Sequence, residues 1–152
     1  MATLEVRMYR YLKYHLFFLL FTVASVAVGQ HNNNDPSSEP YLIKSIFFNG
    51  GSYYIDDEQR EAVIEFLNSQ ILENYEIHIH SHTDPIGGKE YNQWLSRMRS
   101  ESTYRMLEIE GFIMDNIFIK DHDFSNPDFD NDTWQGRLKN RRVDIVLWPL
   151  PS

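Results

Sequence analysis

Between Tyr41 and Trp148 the apolar residues switch repeatedly between a spacing of two and a spacing of three to four. That alternation limits the chain to an α/β architecture. Tyr41 to Phe48 is rich in β-branched and aromatic residues and stops at Asn49-Gly50-Gly51, which predicts a strand closed by a turn. Asp56, with Gln59 three residues on, predicts a helix start of the capping-box type. Ala62, Val63, Phe66, Leu67 and Ile71 follow at helical spacing. Glu76 to Ser81 alternates Ile77 and Ile79 with His78 and His80, a strand with one apolar face. Glu90 to Glu110 predicts a second helix, with Trp94, Leu95, Met98, Ser102, Met106 and Leu107 turned inward and Gly111 as its left-handed cap. A short strand over Asn116 to Lys120, a long loop, and a strand over Arg142 to Trp148 complete the pattern. The order is βαβαββ, and it predicts a two-layer α/β sandwich.

Length allows a single domain, placed at residues 41–150. Arg7, Arg10 and Lys13 precede an apolar run of 13 residues, Leu16 to Val28. A bilayer span needs about 20 residues, so the run predicts a signal peptide over 1–29, cut after Ala27-Val28-Gly29. Residues 30–40 are polar and contain proline, which predicts a short disordered leader. The expected mature chain then has no membrane span. It holds 11 basic and 21 acidic residues, a formal charge of −10. Nucleic acid and anionic lipid are poor partners for such a surface, because phosphate binding rests on Lys and Arg. There are no cysteines, hence no disulfide framework and no thiol for a lipid anchor.

Three ordered motifs carry the functional information. His82-Thr83-Asp84 lies on a loop after a strand; Tyr91-Asn92, Leu95-Ser96 and Arg99 open the second helix; Gly136-Arg137, Asn140-Arg141-Arg142-Val143 lead into the last strand. Together they resemble the OmpA-like peptidoglycan-binding domain family, over Ile43 to Trp148. The resemblance implies helices on one face of a mixed sheet. It also implies non-catalytic binding of cell-wall peptidoglycan in the periplasm, with a possible link to the outer membrane. By resemblance, Asp84 takes the amine and Arg99 the carboxylate of diaminopimelate in the stem peptide. Arginine suits that role because its planar fork grips a carboxylate through two parallel bonds. Thr83, Asn92 and Arg141 fall on further contact positions. Either Arg141 or Arg142 is expected to be structural, bonding loop carbonyls. Departures occur at Ser81, where relatives carry Gly; at Ser100, where they carry Ala; and at Asn49, where an Asp is usual.

Two clusters look like metal sites and are read otherwise. His78, His80 and His82 share a strand face, but residues two apart stand roughly 6.5–7 Å apart along it, too wide for one ion. Asp128, Asp130 and Asp132 begin like a calcium loop, but Thr133 stands where Gly is required and Lys139 where Glu is. No metal or cofactor is expected. There is no Gly-x-Ser-x-Gly elbow, no phosphate loop and no recognisable carboxylate pair, so no enzyme is expected either. The alternative is an envelope protein–protein adaptor on the same fold, using exposed aromatics such as Phe129 and Trp134.

Overall fold

The computed structural model describes residues 41–151 apart from 113, 114, 116 and 126. The expected signal over 1–29 and leader over 30–40 lie outside the described residues. The order is β1 (Leu42–Phe47), α1 (Asp57–Asn68), a 3₁₀ turn (Leu72–Asn74), β2 (Tyr75–Ser81), α2 (Lys89–Ile109), β3 (Ile117–Asp121), α3 (Trp134–Asn140) and β4 (Arg142–Pro149). One sheet runs β1-β4-β2-β3. β4 enters between β1 and β2 antiparallel to both, while β2 and β3 pair in parallel across the α2 crossover.

Strand alternation divides the sheet into two faces. Ile46 of β1, Ile77 and Ile79 of β2, and Val143, Ile145 and Leu147 of β4 meet Val63 and Leu67 of α1 and Met106 and Leu107 of α2 in one core. Burying each such side chain contributes about 1.5–3 kcal/mol. The helix-free face carries the other set, with Ser45, Asp144, His80 and Lys120 side by side across the four strands.

The predicted start of α1 and the predicted end of α2 hold. Asp56 Oδ1 accepts from Gln59 N at 2.9 Å. Gln59 then turns its amide to β1, where Nε2 donates to Phe47 O at 3.0 Å and Oε1 accepts from Phe47 N at 2.6 Å. At the end of α2, Gly111 has φ +85. Its N–H bonds Glu108 O and that of Phe112 bonds Leu107 O, a Schellman closure.

Three expectations change. α1 stops at Asn68, and Ile71 lies beyond it, exposed. The expected loop before β4 contains α3, whose Thr133 side chain caps Gly136 N at 3.0 Å. On α2, Trp94 faces solvent, and the buried stripe is largely polar: Asn92, Ser96, Arg99, Ser100 and Thr103 accompany Leu95, Met106 and Leu107.

Candidate functional site

The end of β1, the end of β2 and the start of β4 coincide at one edge of the sheet, and three backbone bonds lock their loops there. Phe48 N donates to Arg141 O, His82 N to Arg142 O, and Thr83 N to Asp123 O, each at 2.8 Å. Gly87 completes the β2–α2 turn with φ +101, and a Cβ there would stand 2.5 Å from the Tyr91 ring. Only glycine meets both demands.

Arg99 lies inside this junction rather than on an exposed helix face, and its relative exposure is 0%. Nε donates to Ser52 O at 2.9 Å, Nη1 to His82 O at 2.9 Å and Nη2 to Asn49 O at 3.3 Å. Its guanidinium rests on the Phe48 ring, 4.9 Å from the centroid. Arg99 therefore ties the β1–α1 loop to the β2–α2 loop, and among the described residues two of its five N–H groups are left over. Burial, and secondarily the Arg141 charge, push its pKa down to about 10, against an opposing effect of Asp84. It stays charged at neutral pH, with no carboxylate in contact.

The direct partner of Asp84 is Arg141. Arg141 Nε donates to Asp84 Oδ2 at 2.7 Å, and Ile86 N donates to Asp84 Oδ1 at 3.2 Å. The pair is buried. Among the described residues, no oxygen accepts from Arg141 Nη1 or Nη2; one side of the guanidinium meets Gly50 and the Trp134 ring lies 5.5 Å away. Thr83 and Asn92 are also buried, and among the described residues Thr83 Oγ1 and Asn92 Oδ1 have no hydrogen-bond partner. Asn92 Nδ2 braces the turn through Ile86 O at 3.1 Å. Asn49, whose carbonyl takes the Arg99 bond, is itself exposed and lines a groove of about 380 Å³ with Phe47, Phe48, Asp56, Gln59, Leu138 and Lys139.

The structure thus brings Asp84, Thr83, Asn92, Arg99 and Arg141 together, with Asn49 at their rim. Two guanidiniums face one carboxylate. The surplus is one positive charge in a nearly dry setting, where an unpaired charge is costly. Such a site favours a ligand with a carboxylate. The Asp84–Arg141 contact has no signature in the sequence spacing, because it depends on how β4 enters the sheet.

Arg142, next along the chain, is the structural one. It donates to Asp144 Oδ2 at 2.9 Å, to Asp128, and to Lys139 O and Asn140 Oδ1 at 3.4 Å each. Asp144 also accepts from Ser45 Oγ at 2.6 Å; burial raises its pKa, with Arg142 opposing. His82, Asp128 and Asp144 offer ligand atoms within 4.8 Å of one another, but Arg142 already bonds both carboxylates. Asn140, wholly buried, clamps Phe129 through both its N–H and its carbonyl. Gly136 is sterically required, because a Cβ there would stand 1.8 Å from Asp130 O.

The two departures at Ser81 and Ser100 belong together. Ser81 Oγ and Ser100 Oγ both donate to Asp121 Oδ1, at 2.9 and 2.6 Å. Ser81 ends β2, and Asp123 is the one described non-glycine residue with positive φ, so no glycine is needed at position 81.

Over residues 47–141 the sequence matches the OmpA family. A stretch of 71 residues is 38% identical to the outer-membrane lipoprotein YfiB of Pseudomonas aeruginosa, covering 47% of this chain and 42% of that one. Another of 65 residues is 38% identical to outer membrane protein A of Bordetella avium, covering 43% and 34%. The chain matches less than half the length of these relatives. Among solved structures, the peptidoglycan-associated lipoprotein from Burkholderia pseudomallei aligns with a TM-score of 0.60 at 25% identity, over 68% of this chain and 89% of that one. The periplasmic domain of Helicobacter pylori MotB aligns with a TM-score of 0.61 at 19% identity, over 73% and 84%, a likeness of fold.

Proposed function

The chain belongs to the OmpA family, and on that premise we propose that its domain binds cell-wall peptidoglycan without cutting it. The carrying observation is the unequal charge at the sheet edge, where Asp84 shares one site with two arginines. A zwitterionic amino-acid end matches it: the ammonium goes to Asp84 and the carboxylate to the open Nη groups of Arg141, with Arg99 charged behind them. Diaminopimelate of the stem peptide has that chemistry. Thr83 Oγ1 and Asn92 Oδ1 supply further polar atoms, and Asn49 meets the ligand at the rim. Sedimentation with purified sacculi tests this. The chain should pellet with the wall, and free diaminopimelate should release it; sedimentation indifferent to diaminopimelate would remove that ligand.

The domain would act in the periplasm as a link between the wall and another envelope component. Export would leave a chain that begins at Gln30, which N-terminal sequencing of envelope-derived protein checks; recovery of residues 1–29 would refute it. The second reading, an adaptor without wall binding, is favoured by Trp134, a large aromatic that is 56% exposed. A chain that captures envelope proteins but fails to pellet with sacculi would establish it.

A further inference from the structure

We propose that His80 and His122 form a binding site for a divalent transition-metal ion, Zn²⁺ or Cu²⁺, on the helix-free face of the sheet. His80 lies on β2 and His122 directly follows β3, where its N–H donates to Ser81 O at 2.9 Å. The strands bring His80 Nδ1 and His122 Nε2 to 3.2 Å. Two nitrogens on one tetrahedral zinc, at Zn–N distances near 2.0–2.1 Å, stand about 3.3–3.4 Å apart. The second imidazole thus comes from the neighbouring strand, which removes the objection of wide spacing along β2. The ring planes meet at 41°, and both rings are partly exposed, so a small rotation lets their lone pairs converge and water complete the shell.

The remaining groups define which residues take part. Neutral imidazole is the form that binds metals, and it offers one in-plane lone pair per ring. His82 stacks on His122 with only 5° between the planes; in-plane lone pairs of parallel rings cannot meet at one ion. His78 is held by Glu76 at 3.1 Å and stacked on Phe118. Imidazole pairs select zinc and copper over calcium and magnesium, which prefer oxygen.

Calorimetric titration of the chain with Zn²⁺ alone tests the proposal. Every sample carries His31→Ala, which removes an imidazole near the expected mature terminus. One equivalent should bind, His80→Ala and His122→Ala should each weaken binding at least tenfold, and His78→Ala should leave it unchanged. Zn²⁺ should also shift the imidazole ¹⁵N resonances of His80 and His122 in the chain with both histidines intact, a readout independent of how those variants fold. Absence of one-equivalent binding, retained affinity in folded His122→Ala, or equal competition by Ca²⁺ would overturn the proposal.

Discussion

Arg141 and Arg142 are neighbours in sequence and opposites in circumstance. At Arg142 two carboxylates, Asp128 and Asp144, face one guanidinium, and backbone and amide oxygens take further N–H groups. At Arg141 one carboxylate faces two guanidiniums, and both Nη nitrogens lack acceptors among the described residues. The first arrangement is closed and holds Asp128 and the end of α3 to the sheet. The second keeps a surplus of charge and of donors, which is the condition for binding. Adjacent residues reach these two settings because α3 ends at one and β4 begins at the other.

The largest expected effect tests the junction both settings share. Arg99→Ala leaves three loop carbonyls without their charged donor and should lower stability by about 3–5 kcal/mol in urea denaturation. Arg99→Lys should recover little, since an ammonium cannot reach three divergent oxygens. A stable, wall-binding Arg99→Ala would show that the loops hold themselves.

The next effects separate the neighbours. Asp84→Ala and Arg141→Ala should each weaken sacculus binding by roughly ten- to a hundredfold, the equivalent of about 1.5–3 kcal/mol for a hydrogen bond to a charged group. The double variant should fall short of the summed losses, as coupled residues do. Arg142→Ala should instead lower the melting temperature and leave affinity nearly unchanged in the folded fraction. Reversal of that pattern would interchange their roles.

A smaller effect concerns pH at the closed end. Folding lowers the pKa of His80 from 6.5 to about 4 and also lowers that of His122. The unfolded chain therefore binds more protons, so stability is fully present above pH 6.5 and declines as pH falls toward 4. Asp144, raised by burial, acts in the opposite sense in the carboxylate range. His80→Gln should flatten the decline seen in melting curves; an unchanged slope would place its origin elsewhere. The smallest expected effect is none: chelator should leave sacculus binding unchanged, because Asp84 and Arg141 take no part in the histidine pair. Loss of binding restored by Zn²⁺ would join the two regions.

The helices and strands were legible where apolar spacing alone marks an element, as at Val63 and Leu67 or Ile77 and Ile79. Trp94 shows the limit. Hydropathy sends tryptophan inward, yet α2 buries Ser96, Arg99 and Thr103, whose side chains bond oxygens of β2, of a loop and of the helix itself. α3 escaped notice because seven residues carry too little period; a threonine cap and the Asn140 clamp on Phe129 hold it. The resemblance of the three motifs names Asp84, Arg99 and Arg141 together. Which of them touch depends on strand order, and spacing along the chain contains no such information.

The Gln59 amide has a consequence for the unpaired margin of the sheet. Phe47 would otherwise offer its N–H and C=O on the outer margin of β1, a template on which another chain can add a strand. Gln59 occupies both groups as a short stretch of backbone would. Neighbouring copies thereby lose one point of attachment for edge-to-edge aggregation, while the loop end of the same sheet, which holds Asp84 and Arg141, is left free of that contact.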